Sequence, residues 1–169
     1  MPQIDRFTII NAVLFQALWF SCVIGVGAQN LHALAVAALL VLAAAAYFSP
    51  VRKSDFITAG AGFAIGMIVD SIWAYTGILV YPGSQLAPYW IGFLWFGLGL
   101  TINHSMSWFR DRWLGSLIVG CFAPVTYLTG QRFGAVEVPD VILLSVIGLS
   151  WVGVFYMLSL LARRTAEAV

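Results

Sequence analysis

The stretch that decides the fold of this chain reads FITAGAGFAIGMIVDSIWAYTGILV, at residues 56–80. It holds a single charged side chain, that of Asp70. A helix needs about 20 predominantly apolar residues to cross the roughly 30 Å hydrocarbon core of a bilayer. The stretch therefore predicts a transmembrane helix with one acidic residue at membrane depth.

The rest of the chain has the same character as this stretch. Of its 169 residues, 62% are hydrophobic and only 9% are charged, against roughly 25% charged residues in an average soluble domain. A soluble fold is excluded, because its water-facing surface needs several times more charge. At about 20 residues per span, six spans leave too few residues for a second domain. We therefore expect one integral membrane domain over residues 1–169.

The apolar stretches predict an all-α, polytopic membrane bundle of six transmembrane helices. Short polar or proline-containing breaks separate them, so neighbouring helices are expected to be antiparallel. The predicted helices lie at about 7–27, 31–48, 56–80, 88–107, 114–131 and 141–162.

The basic residues predict the orientation of this bundle. Arg132 falls on one side of the six-helix arrangement, and the other seven basic residues fall on the opposite side: Arg6, Arg52, Lys53, Arg110, Arg112, Arg163 and Arg164. The positive-inside rule places the side with seven, and with it both termini, in the cytoplasm. The first apolar run is longer than the roughly 7–15 residues of a signal-peptide core, so we expect it to stay as a helix.

Asp70 is the acidic residue that we expect near the middle of the membrane. Gly62, Gly66 and Asp70 lie at i, i+4 and i+8 on one helix face, and a Gly-xxx-Gly face lets another helix approach closely. We expect Asp70 to point into the bundle, with Trp73 about one turn further along. Two hypotheses stay open: a carboxylate that carries protons or binds a cation or headgroup, or a protonated acid bonded to a neighbouring helix.

A second polar group lies in the predicted fourth helix. Asn103 is expected on one helical face with Gly92 and Gly99, and His104 follows it in the cytoplasmic third of the membrane. The depth difference of roughly 10 Å argues against a direct pair between Asp70 and His104. His104 is either an acid–base or headgroup-binding group, or a hydrogen-bonded interfacial histidine.

The first helix contributes two further polar residues. Asn11 is expected at the depth of the fourth-helix polar group and Gln16 closer to the depth of Asp70. Five residues correspond to about 140° around a helix, so the two side chains face different seams. One arrangement has two polar layers, with the first helix touching both.

Two candidates lie in and after the fifth helix. Tyr127 follows Pro124 and is expected in the outer half of the membrane. Arg132 is the single outer cation, and Glu137 and Asp140 follow it in the same loop. A surface ion pair is the simpler interpretation of Arg132. Contact with an anion or a headgroup is the alternative.

Several kinds of chemistry find no motif in the chain. It contains no Gly-x-Ser-x-Gly elbow, HExxH motif, phosphate-binding loop or Gly-x-Gly-x-x-Gly turn. Cys22 and Cys121 have no disulfide or metal-ligand spacing. We therefore expect no metal, no cofactor and no nucleic-acid partner, and the sequence leaves open whether the protein is an enzyme.

Four segments together resemble a family of small bacterial inner-membrane proteins defined as a domain of unknown function. They are residues 11–16 (NAVLFQ), 66–70 (GMIVD), 94–108 with its Asn-His-Ser core, and 123–136. The resemblance implies a multi-pass protein of the bacterial inner (cytoplasmic) membrane and assigns no activity. The association of family members with genes for fatty-acyl modification points to lipids.

Three functional hypotheses follow. The protein binds, modifies or moves a lipid or another hydrophobic small molecule in a cavity lined by the candidate residues Asp70, Asn103, His104, Gln16 and Tyr127. Alternatively, it is the substrate-capture subunit of a larger transporter. As a third possibility, it is a structural or assembly partner of another membrane protein and performs no chemistry.

Overall fold

A computed structural model describes residues 6–167, and this part of the chain is helical without a β-strand. Seven helices follow one another, the last of them preceded by a 3₁₀ turn at Val141–Leu143. Their bounds are α1 Arg6–Gly27, α2 Leu31–Phe48, α3 Arg52–Tyr75, α4 Tyr89–Gly99, α5 Ser107–Arg110, α6 Trp113–Arg132 and α7 Leu144–Glu167.

Five of these helices are long and apolar enough to cross a membrane, namely α1, α2, α3, α6 and α7 with its 3₁₀ turn. The predicted class of all-helical, multi-pass membrane protein is confirmed. The prediction of a continuous fourth helix at 88–107 is wrong, because α4 ends at Gly99 after 11 residues. A helix of that length spans about 16 Å, roughly half of the hydrocarbon core.

The composition of residues 97–105, GLGLTINHS, explains why α4 ends early. Glycine has a low helix propensity, and threonine, asparagine and serine side chains compete for backbone hydrogen bonds. The hydroxyl of Thr101 donates to the carbonyl oxygen of Leu98 at 2.6 Å. Residues 100–106 form turns, and the chain then enters the short helix α5.

Close packing satisfies the backbone of this broken helix. A Cβ atom at Gly99 would lie 2.3 Å from the Cα atom of Ala59, so glycine is required for the approach to α3. Asn11 donates from Nδ2 to the freed carbonyl oxygen of Leu100 at 3.1 Å. Irregular backbone at membrane depth is tolerated where protein groups pair with it. The prediction that Asn103 continues the glycine face of the fourth helix is wrong, since the helix ends before Asn103.

The third helix is shifted towards the N-terminus relative to its prediction at 56–80. It begins at Arg52 and ends at Tyr75, and Gly77 follows with φ of 75°, the left-handed conformation that commonly terminates helices. Asp55 consequently lies in the first turn of α3. Asp70 is five residues from the end of the helix, roughly 10 Å past the helix centre, whereas the sequence placed it near the centre of the span.

The helices pack as two hairpins around a central pair. α1 packs on α2, α6 packs on α7, and the central helices α3 and α4 pack on each other. The predicted glycine face of α3 forms this central contact. A Cβ atom at Gly62 would lie 2.8 Å from the Trp95 carbonyl oxygen, and one at Gly66 would overlap the Trp95 ring.

The two ends of the bundle differ in charge. One end holds the start of α1, the α2–α3 turn, α5 and the end of α7, and we call it the basic end. Contacts such as the hydrogen bond between the hydroxyls of Ser54 and Thr165, at 2.6 Å, join these elements. It carries Arg6, Arg52, Lys53, Arg110, Arg112, Arg163 and Arg164. The opposite end holds the α3–α4 loop and residues 133–140. Which end faces the cytoplasm stays a prediction of the positive-inside rule.

Candidate functional site

A cavity of about 440 Å³ lies between α1, α4 and α6. Its volume is within the range of roughly 300–1,000 Å³ that is usual for small-molecule sites. Apolar and aromatic side chains form most of its wall, among them Phe15, Trp19 and Val23 of α1, Ile91, Leu94 and Leu98 of α4, and Val119, Phe122 and Ala123 of α6.

The cavity is long in the direction of the helix axes. Its lining runs from Ala12 to Val23 along α1 and from Ile118 to Gly130 along α6. At a rise of 1.5 Å per residue, both stretches are roughly 17 Å long. That is about half of the roughly 30 Å hydrocarbon core, or the depth of one leaflet.

The cavity opens sideways, between α1 and α6. Ala12 and Gln16 of α1, and Phe122 and Thr126 of α6, line the cavity and are exposed at the surface of the bundle. All four lie inside helices that are long enough to cross the membrane. The opening, which we call the lateral window, therefore lies along two helices that are long enough to cross a membrane.

Contacts of α1 close the lateral window at the opposite end and, at the basic end, tie α1 to the chain after α4. At the opposite end, a Cβ atom at Gly27 would lie 2.0 Å from the carbonyl oxygen of Phe133, so the absence of a side chain at Gly27 permits the end of α1 to contact the residue that follows α6. At the basic end, the hydroxyl of Ser105 donates to Oδ1 of Asn11 at 2.7 Å.

Asp70 lies behind one wall of the cavity and is completely buried. Its carboxyl group accepts hydrogen bonds from the hydroxyl of Tyr81, from Nε1 of Trp95 at 2.7 Å and from the hydroxyl of Tyr127 at 3.2 Å. These three donors line the cavity, whereas Asp70 does not. Burial raises the pKa of Tyr81, which lies in the α3–α4 loop, well above its usual range, so its hydroxyl keeps the proton that it donates.

The three donors of Asp70 come from three different elements and are packed by further rings. Trp95 of α4 stacks on Trp151 of α7 with ring centroids 4.5 Å apart. Trp73 contacts the ring of Tyr127 edge-on at 5.9 Å from the next turn of α3. Asp70 therefore fixes the aromatic wall in the half of the cavity that is farther from the basic end. We name Asp70, Tyr81, Trp95 and Tyr127 the aromatic cluster.

A second buried carboxyl group, that of Asp55, lies at the basic end. Its Oδ2 atom is 2.6 Å from Nε2 of His104 and accepts a hydrogen bond from the hydroxyl of Ser49 at 2.5 Å. Its Oδ1 atom accepts from Nδ2 of Asn103 at 2.8 Å, and Arg110 donates to Oδ1 of Asn103 at 2.8 Å. We name these five residues the polar cluster. It joins the α2–α3 turn, α3 and the chain that follows α4.

Sequence reasoning missed Asp55 and Tyr81, since it placed both outside the helices. For Asp55 a signal existed, because it precedes Gly62 by seven residues and so lies on the same helix face as Gly62, Gly66 and Asp70. For Tyr81 we find no signal, because its position depends on how the α3–α4 loop folds back over the bundle.

The remaining candidates are distributed as follows. Gln16 lies at the rim of the lateral window, and Asn11 ties α1 to the chain after α4. Asn103 and His104 do not line the cavity. Arg132 is exposed in the last turn of α6, and within residues 6–167 it forms no ion pair with Glu137 or Asp140, in contrast to the simpler expectation.

The described part of the chain has no group of three or more histidine, cysteine, aspartate or glutamate side chains that could hold a metal ion.

The comparisons with known proteins place the chain in a family. No curated protein and no solved structure matches it. The family described as "Protein of unknown function (DUF2878)" matches residues 8–157, a stretch that includes the cavity and both clusters. The chain belongs to this family, as the resemblance of its segments indicated.

Proposed function

We propose that the protein binds one hydrocarbon chain of a lipid, or a similar hydrophobic small molecule, in the cavity between α1, α4 and α6. The molecule enters from the bilayer through the lateral window. The observation that supports this function most directly is the combination of an apolar, aromatic wall with an opening at membrane depth.

The size of the cavity supports an occupant. The cavity has the volume of a small-molecule site, and the lateral window makes it accessible to lipid chains. A length close to the depth of one leaflet suits a single extended alkyl chain.

The forces that hold such a chain differ from those in water. A lipid tail gains nothing from leaving water here, because it is already in hydrocarbon. Binding instead relies on close van der Waals packing against the aromatic wall, so the position of the rings decides affinity. In this function Asp70 is a positioning residue, since it orients three wall residues without touching the ligand.

The test uses the tryptophans of the wall as reporters. Four of the seven tryptophans of the chain line the cavity, namely Trp19, Trp90, Trp95 and Trp151. Dibromostearate is titrated into the detergent-solubilised protein, because bromine quenches an indole that it contacts. We expect saturable quenching, and we expect Ala12→Phe, which fills the rim of the lateral window, to weaken it severalfold.

A matched control separates the cavity from the general surface. Ala43 is exposed on α2, away from the cavity, and Ala43→Phe adds the same volume there. This variant should bind as the wild type does. Non-saturable quenching that is equal in all three proteins would contradict the proposal. It would favour the hypothesis that the protein is a structural partner and performs no chemistry.

A further inference from the structure

We infer that the bound molecule is an anionic amphiphile whose head lies at the basic end of the lateral window, beside Arg6 and Arg112, and whose chain runs towards Tyr81. This assignment rests on the proposed function, because it specifies the chemistry and the direction of the molecule in the same cavity.

The two helices that frame the lateral window begin with arginines at the same end. Arg6 is the first residue of α1, and Arg112 directly precedes α6. The cavity lining starts at Ala12 on α1 and at Ile118 on α6. Each arginine is thus six residues, or roughly 9 Å along the helix axis, from the first lining residue of its helix. When the head of the ligand lies between the two arginines, its hydrocarbon chain extends along the cavity.

Arg112 has the chemistry that an anionic head requires. Its guanidinium lies 4.4 Å from the ring centroid of Trp108 and donates one hydrogen bond to the Trp108 carbonyl oxygen at 3.1 Å. One such bond uses one of the five N–H donors of the guanidinium, and the planar group is suited to bidentate contacts with carboxylate or phosphate. Trp108 is 42% exposed, as expected for a ring in the headgroup layer.

The neighbouring Arg110 is less suited to this task. Its Nε and Nη2 atoms donate to the two carboxylate oxygens of Asp111 at 2.6 and 3.1 Å, and its Nη1 donates to Asn103. Its charge is therefore already matched inside the protein, whereas the salt bridges of the described residues include neither Arg6 nor Arg112.

Among the described residues, the opposite end of the cavity holds a single arginine, Arg132, against the pair Arg6 and Arg112 at the basic end. The polar hydrogens of Tyr81, Trp95 and Tyr127 are all directed at Asp70, so these residues present ring carbons to a ligand. The contact between Gly27 and Phe133 closes the window there. The nearest basic residue is Arg132, and it shares that end with the acidic residue Glu137.

Two sources share the required chemistry, a fatty acid with its carboxylate and a phospholipid with its phosphate. The experiment therefore titrates the full-length protein in neutral detergent with three probes: dibromostearate, phosphatidylglycerol with brominated chains, and phosphatidylcholine with the same chains. Saturable quenching of the cavity tryptophans reports binding of each probe.

We expect at least one anionic probe to bind about tenfold more tightly than phosphatidylcholine, since each arginine near the surface contributes to the attraction. Exchange of both arginines in Arg6→Gln/Arg112→Gln should abolish this preference. Arg132→Gln removes the same type of charge at the other end of α6 and should retain it. Added salt should reduce the preference of the wild type, which gives a second test without any substitution.

The outcomes are distinguishable. Equal binding of all three probes, or a preference that the double variant keeps, would overturn the inference while the proposed chain binding stands. Absence of saturable quenching by every probe would overturn the proposed function itself. A preference for dibromostearate alone that is lost in the double variant identifies a carboxylate head, and one for phosphatidylglycerol alone that is lost there identifies a phosphate head; both support the inference.

Discussion

Helix α3 carries two buried carboxyl groups with contrasting surroundings. Asp55 in its first turn is bonded to polar side chains and is linked through Asn103 to Arg110 near the surface. Asp70, 15 residues or roughly 22 Å further along, is bonded to two phenols and an indole. The residue type and the helix face are the same, and the partners differ completely.

The difference shows how neighbouring elements determine the role of a buried acid. The polar cluster holds together chain segments that do not form regular helices, at the α2–α3 turn and after α4. The aromatic cluster orients the wall of a cavity. We therefore expect loss of Asp55 to affect stability most and loss of Asp70 to affect binding most.

The largest expected effect is that of Asp55→Ala. It removes the hydrogen-bond partner of Ser49, Asn103 and His104 at once and releases two irregular segments from α3, so we expect a loss of about 3–5 kcal/mol. Unfolding in a denaturant series in detergent measures this loss. Asp111→Ala, at a carboxylate that is 49% exposed, is the control and should cost less than about 1 kcal/mol. Equal stability of the two variants would show that the polar cluster does not hold the bundle together.

Asp70→Ala is expected to cost less stability, about 2–3 kcal/mol, because it leaves buried phenol and indole donors without an acceptor. Its effect on binding should be the larger one, since Trp95 and Tyr127 are no longer held in the cavity wall. Quenching by dibromostearate should weaken severalfold, and the tryptophan emission should shift.

Asp70→Asn separates these two effects. It keeps one acceptor oxygen and the side-chain volume, so it should retain part of the binding. If Asp70→Ala instead binds the probe as the wild type does, the aromatic cluster does not determine affinity, and the contrast with Asp55 is one of location alone.

The sequence predicts the helices well where an apolar run ends at a polar break. The bounds of α1 and α2 agree with the predictions at 7–27 and 31–48 to within one residue. The prediction fails where hydropathy and helix propensity disagree. Residues 97–105 are apolar enough to continue a span, but their glycines and small polar side chains end the helix.

The site was predictable to the extent that it depends on helix faces. The spacing of Gly62, Gly66 and Asp70 indicated a buried acid on a packed face, and Asp70 is buried there. The partners of that acid were not predictable, because Tyr81 reaches Asp70 from a loop and Tyr127 from a helix that is distant in sequence. Such contacts depend on tertiary packing, which the periodicity of residues along a single helix does not predict.

The smallest expected effect concerns the glycine face that connects the two clusters. A Cβ atom at Gly66 would lie 2.0 Å from the Trp95 ring, so Gly66→Ala must displace the ring that donates to Asp70. We expect a cost of about 1–2 kcal/mol from overpacking, together with weaker quenching by dibromostearate. Gly60→Ala on the same helix meets no atom within 4 Å and should stabilise α3 by up to about 1 kcal/mol through helix propensity. Thermal unfolding of both variants measures the two opposite signs. A Gly66→Ala protein that is as stable as Gly60→Ala would mean that Trp95 can shift without loss, and then its bond to Asp70 does not set the shape of the cavity.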